Sequence, residues 1–195
     1  MRAALVVVDV QRDFCPGGAL PVKEGDELVP RINRVIMTFE HDPLPVFFTR
    51  DWHPPNHMSF KSQGGIWPLH CVQGSAGAEF HPALRIPIKS IVISKAEDPQ
   101  FEAYSGFQGT DLATRLNELG VDKIFLCGLT TDYCVKESAI DARHAGFEVE
   151  VIQDCIGAVD ASPGDGKKAI SEMQKAGARI TNSAAVIKMM AGTQQ

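Results

Sequence analysis

Long apolar runs are scarce in this chain. The N-terminal one, residues 3–8, stops at Asp9, too early for the core of a signal peptide, and no stretch approaches the roughly 20 residues that a membrane-spanning helix needs. Blocks of like charge are also missing. With 19 Lys and Arg against 24 Asp and Glu, a net charge of -5 and no basic patch, the composition argues against nucleic acid or an anionic membrane as partner and leaves a small molecule. Paired C-x-x-C spacing is absent: the five cysteines, at 15, 71, 127, 134 and 155, are odd in number and irregularly placed, which excludes a disulfide framework and a structural zinc site. Free thiols in a reducing cytoplasm are the expectation. Neither G-x-G-x-x-G nor a phosphate-binding loop occurs, Gly17-Gly18 reads as a turn, and a nucleotide cofactor is not indicated.

What is present suits one compact unit. A chain of 195 residues, 44% hydrophobic and 22% charged, is long enough for one well-buried core and short for two, so a single domain over 1–195 is expected. Apolar, β-branched runs without alternation predict strands at 3–8, 45–49, 91–94 and 123–127, covered on both faces. A fifth at 147–152 alternates and belongs nearer the sheet edge, and a short sixth lies at 179–181. Helical spacing predicts helices at 26–40, 110–119 with Thr110 as cap, 135–145, 162–176 opened by Ser162-Pro163, and 183–190. Strands alternating with helices imply a three-layer α/β/α fold on a mostly parallel six-stranded sheet. Residues 50–87, rich in Pro, Gly, His and Trp, form a connection long enough to be functional.

Ligands bind such sheets beyond the carboxyl ends of the strands. Asp9 ends the first strand, Asp51 lies past the second, Lys95 ends the third, and Cys134 stands where the fourth strand turns into a helix, so one rim carries all four. A helix start favours an anion, and Cys134 is expected to ionise more readily there than in solution. An aspartate near a thiol can take its proton and a lysine can stabilise the resulting charges, which makes Asp9, Lys95 and Cys134 a set for acyl transfer. Asp51 and His53, two apart in an extended segment, point to one side, and His70 can fold back to complete a carboxylate and two imidazoles, a set for a transition metal with open positions. Phe14, Trp52, Trp67 and Tyr104 fall in the same loops and can enclose a flat ring. An aspartyl-phosphate mechanism would want a second Asp at position 11, where Gln stands, and a thiol redox module would want a resolving cysteine nearer Cys134 than Cys127 on the preceding strand.

The blocks V-V-V-D-V-Q-R-D-F-C-P-G-G-A-L, T-R-D-W-H-P-P-N-H-M-S-F, W-P-L-H-C-V-Q-G-S-A-G-A-E-F-H-P, A-Y-S-G-F and C-G-L-T-T-D-Y-C-V resemble the nicotinamidases of the isochorismatase-like cysteine hydrolase superfamily, over about residues 5–156. The resemblance implies hydrolysis of nicotinamide, or pyrazinamide, to the acid and ammonia through a thioester, in NAD salvage. An N-carbamoyl amide hydrolase or isochorismatase is the alternative within the superfamily. It further implies Asp9 as base and acid, Lys95 as its partner and Cys134 as nucleophile, with the N–H groups of Thr130 and Cys134 forming an oxyanion hole beside a cis Leu129-Thr130 peptide. Asp51, His53 and His70 would hold one divalent transition metal, zinc first, with iron or manganese as alternatives, and His57, Ser59 or water as fourth ligand. Phe14, Leu20, Trp67, Tyr104 and Tyr133 would line the substrate pocket. Homo-oligomer formation is left open.

Overall fold

The computed structural model describes residues 2–192. Its sheet is built from β1 (Ala3–Val8), β2 (Val46–Asp51), β3 (Ile91–Lys95), β4 (Lys123–Leu129), β5 (Glu148–Gly157) and β6 (Arg179–Thr181). The helices are α1 (Val29–His41), α2 (Leu112–Glu118), α3 (Lys136–His144), α4 (Asp165–Lys175) and α5 (Ser183–Gly192). All neighbouring strands run parallel, in the order β3-β2-β1-β4-β5-β6. No helix among the described residues is long and apolar enough to cross a membrane.

Two cores explain the unalternating strands. Leu5 and Val7 of β1 pack with Phe48, Phe125 and the apolar stripe of α1, Ile32, Val35, Ile36 and Phe39, with Val186 and Met190 of α5 alongside. Ala4, Val6 and Val8 face the other way, joining Phe47, Ile124 and Leu126 beneath Leu112 and Leu116 of α2, Ala139 and Ala142 of α3 and Met173 of α4. Each Val, Leu, Ile, Phe or Met side chain so buried contributes roughly 1.5–3 kcal/mol, which is why both faces of the central strands are apolar.

Several boundaries differ from the sequence expectation, each for a local reason. Residues 25–28 wind as a separate tight turn, and α1 starts at Val29 with Pro30 in its first turn. Ser162-Pro163 precede α4 rather than open it, because Gly164 adopts φ 98° and the Asp165 carboxylate accepts the Ser162 N–H at 2.9 Å. α2 starts at Leu112, later than the expected 110, with Asp111 rather than Thr110 at the N-cap position, and Thr110 Oγ1 accepts the Leu112 N–H at 3.2 Å from one residue upstream. β5 runs on to Gly157 after a register shift against β4 between Leu126 and Gly128, a break that ends the alternation. Gly128 itself, at φ 114°, passes so near β1 that a Cβ there would lie 2.0 Å from the Val8 carbonyl oxygen.

This topology positions the site. β1 has β2 on one side and β4 on the other, so successive connections leave it in opposite directions and a crevice opens between the carboxyl ends of β1 and β4. Asp9 and Cys134 follow those two strands.

Candidate active site

Asp9 leaves β1 in the left-handed region, φ 45°, held there by its N–H on the Thr49 carbonyl at 3.2 Å and its carbonyl under the Gln11 N–H at 2.8 Å. This turn aims a fully buried carboxylate at the crevice. Its Oδ1 accepts the Thr49 hydroxyl at 2.6 Å, and its Oδ2 faces Lys95 Nζ at 3.0 Å without an aligned hydrogen bond. Asp51 and Lys95 are register partners at the ends of β2 and β3, and the ammonium donates to Asp51 Oδ1 and, at 3.2 Å, to the Ala103 carbonyl. Cys134 Sγ lies 3.5 Å from the same Nζ. One lysine therefore bridges the expected base, the expected nucleophile and the first metal-side carboxylate.

Burial dominates the ionisation of this cluster, and the charges then sort its members. Burial pushes Asp9 up, Lys95 pulls it down and Asp51 raises it again, leaving the carboxyl above its ordinary range. Burial also works upward on Asp51, but Lys95, His53 and His70 outweigh it and hold that carboxyl low. Lys95 stays protonated, because Asp51, Asp9 and Cys134 overcome the cost of burying its charge. For Cys134 the result opposes the sequence expectation. Burial raises the thiol, Lys95 lowers it, and Asp9 and Asp51 raise it further, so it stands well above the usual thiol range. The helix start is as expected, residues 131–135 winding as a π-helical first turn that runs into α3 at Lys136, but burial and the two carboxylates outweigh it. A thiol held up in this way needs a base beside it.

Along the wall, Asp51, His53 and His70 present ligand atoms that all lie within 4.8 Å of one another. His53 Nδ1 donates to the His70 carbonyl at 3.2 Å and His70 Nδ1 to the Pro68 carbonyl at 2.8 Å, which fixes both tautomers and frees each Nε2 to bind. The donors fit a divalent transition metal. His57 and Ser59, expected as candidates for a fourth ligand, are engaged elsewhere. Ser59 Oγ meets His57 Nδ1 at 2.7 Å, and His57 Nε2 donates to the Phe101 carbonyl at 3.1 Å.

Burial lowers His53 from an ordinary 6.5 to about 4, with Asp51 raising it and His70 lowering it. The folded chain thus takes up this proton later than the unfolded chain. The associated stability is complete above pH 6.5 and is lost as pH falls toward about 4, at a cost of up to about 3 kcal/mol. Metal-stripped protein should accordingly melt at progressively lower temperature across that window, and a melting temperature that stays flat through it would place His53 in water.

A small cavity joins these groups. Phe14, Leu20, Trp67, Tyr104 and Tyr133 all line it, together with Asp51, His53, His70, Thr130 and Cys134. Trp67 Nε1 donates to the Tyr104 hydroxyl at 2.9 Å, and Tyr133 meets the Trp67 ring edge-on at 4.9 Å, so the aromatic wall is braced. Trp52 is not part of it, lying instead under the Arg50 guanidinium at 3.7 Å. Asp9 and Lys95 sit behind the floor, out of the lining. The Leu129-Thr130 peptide is cis.

Sequence reasoning missed three residues that hold the site. Gln11, weighed only as an obstacle to phosphoryl chemistry, accepts the Asp51 N–H at 2.8 Å and donates to the carbonyls of Asp51 at 2.8 Å and Ala78 at 2.9 Å, so it fixes the end of β2. Asp13 accepts the Cys71 N–H at 2.7 Å and anchors the His70 loop. Glu102 lines the cavity. Only Gln11 and Asp13, flanking the turn after β1, lie where a motif-based search would look.

The chain belongs to the isochorismatase domain family, whose model matches residues 3–185. It is similar to the nicotinamidase of Escherichia coli (strain K12), 40% identical over 198 residues that cover 91% of this chain and 93% of that protein. Among solved structures it is similar to the pyrazinamidase of Pyrococcus horikoshii in complex with zinc, with a TM-score of 0.89 and 47% identity over 93% of this chain and 99% of that one. It is also similar to PnC1 from L. infantum in complex with nicotinate, with a TM-score of 0.88 and 38% identity over 94% of each chain.

Proposed function

We propose that this chain is a metal-dependent cysteine amidohydrolase, a nicotinamidase that converts nicotinamide to nicotinate and ammonia in NAD salvage. The observation that carries the reading is the contact of Lys95 with Asp9, Asp51 and Cys134 beside a small aromatic-lined cavity whose wall bears three metal donors. The whole chain acts as one domain, and its five free, buried cysteines suit a reducing cytoplasm.

Nicotinamide enters with its ring between Phe14, Trp67, Tyr104 and Tyr133, Leu20 closing one side, and turns its carboxamide carbon toward Cys134. Asp9 accepts the thiol proton while Lys95 stabilises the negative charge on carboxylate and sulfur. The sulfur attacks, and the oxyanion is received by the N–H groups of Thr130 and Cys134. Asp9 returns the proton to the departing ammonia, leaving a thioester. It then takes a proton from water, whose attack releases nicotinate, and gives that proton back to the sulfur. Asp51, His53 and His70 would hold a divalent ion, zinc first and iron or manganese as alternatives, which when bound supplies a Lewis acid for the ring nitrogen of the substrate.

Ammonia release from nicotinamide, followed before and after chelation, tests this directly. Release should disappear on stripping the metal and return on adding it back. No release at all, or release indifferent to rigorous stripping, would count against the proposal.

A further inference from the structure

Asp132 lies within the stretch C-G-L-T-T-D-Y-C-V, and the mechanism above does not use it. It stands in the turn 131–135, between Thr130 on one side and Tyr133 and Cys134 on the other, all three of which line the cavity. Asp132 is buried but is not part of that lining. Its carboxylate crosses instead to the connection between β5 and α4, where Oδ1 accepts the Val159 N–H at 3.1 Å and Oδ2 the Asp160 N–H at 2.9 Å. Val159 lines the cavity. Asp160, at φ 50°, accepts the Gly166 N–H on its own Oδ1 at 2.7 Å, which ties the far end of the connection to the first turn of α4. The turn bearing Asp132 is itself closed, because the N–H groups of Tyr133 and Val135 both donate to the Thr130 carbonyl, at 3.2 and 3.0 Å. Hydrogen bonds to an ionised carboxylate are roughly twice as strong as neutral ones, and two on consecutive residues fix the direction of the chain as well as its distance.

We propose that Asp132 is a positioning residue, which clamps the β5–α4 connection onto the nucleophile turn and thereby sets Val159 opposite Cys134 for the substrate. The proposal rests on the amidohydrolase reading above. The clamp serves binding rather than proton transfer: both carboxylate oxygens are taken by the connection, and the proton-transfer groups Asp9 and Lys95 are paired with each other and not with Asp132. Released from Asp132, the connection carries Val159 away from the cavity, and the substrate loses one apolar contact in its ground state and transition state alike. Such a loss raises KM and leaves kcat in place.

The test uses the full chain as the parent, Asp132→Ala, Asp132→Asn, Val159→Ala and the double variant Asp132→Ala with Val159→Ala. Backbone hydrogen exchange over residues 158–164, measured without substrate, should quicken in Asp132→Ala and change less in Asp132→Asn, which keeps one acceptor oxygen. In ammonia release from nicotinamide, Asp132→Ala and Val159→Ala should each raise KM about tenfold, the worth of a small apolar contact in a binding pocket. kcat should stay within about threefold of the parent, and the inhibition constant of nicotinate should rise with KM. The double variant should lie near about tenfold rather than about a hundredfold, since both changes remove the same contact. Where Asp132→Ala does not fold, the asparagine variant, alone and combined with Val159→Ala, gives the same comparison at smaller amplitude. Unchanged exchange, a loss confined to kcat, or fully multiplicative effects would overturn the proposal and leave the amidohydrolase reading standing. A parent that releases no ammonia would sink that reading instead, and with it the role of the clamp in binding the amide, whatever the exchange shows.

Discussion

Cys134→Ala is expected to abolish ammonia release, with a fall in kcat on the order of 10⁶, the scale seen when a hydrolase loses its nucleophile. The expectation follows from how little else at the site can attack a carbonyl carbon. Asp9 and Lys95 lie behind the cavity floor, and the other four cysteines are buried away from the cavity lining. Replacement by alanine removes one sulfur atom from a buried position and leaves Lys95 paired with Asp9 and Asp51, so the fold and the metal donors should be unaffected. The measurement is single-turnover and steady-state ammonia release alongside metal content. A variant that holds its metal and still turns over at close to the parent rate would show that the nucleophile is not Cys134.

Asp9→Asn should lower kcat by about 10² to 10⁴-fold, the usual contribution of a positioned general base. KM should move little, because Asp9 does not line the cavity. The physical reason for so large an effect is the state of the thiol. Burial and two carboxylates hold the Cys134 proton on the sulfur, and Lys95 alone does not reverse that, so attack requires a group that removes the proton at the moment of reaction. Asparagine keeps the shape and can still accept the Thr49 hydroxyl, while Lys95 keeps Asp51 as its counter-ion, so the loss reports proton transfer rather than unfolding. A kcat within tenfold of the parent, or a loss confined to KM, would remove Asp9 from the role of base.

The two variants probe different parts of one contact network. Lys95 touches Asp9, Asp51 and Cys134 together, so the two carboxylates and the thiol share a single counter-charge. That coupling explains why a lysine is tolerated at full burial: with two carboxylates around it, the desolvation cost of its charge is offset by close pairing on both sides.

Much of this was legible in the residues themselves. Runs such as 3–8 and 123–127 lack alternation because both faces of a central parallel strand are covered, and that pattern alone establishes the layer architecture and hence the rim on which Asp9, Asp51, Lys95 and Cys134 stand. The spacing of Asp51 and His53 likewise fixes their common direction, since successive residues of an extended chain alternate sides. Tertiary structure alone decided the rest, because it depends on contacts between segments far apart in the chain. The tautomers of His53 and His70 are set by backbone carbonyls of the same loop, and the His57 ring is engaged by a carbonyl 44 positions away. Gln11 reaches the end of β2 across 40 positions to fix Asp51. Cys134, expected at a helix start that would favour its anion, does lie in a helix's first turn, but burial and two nearby carboxylates hold its thiol well above the usual range. Residue type and local spacing were enough to say which groups meet. Their charge states depend on burial and on neighbours that the chain order does not reveal.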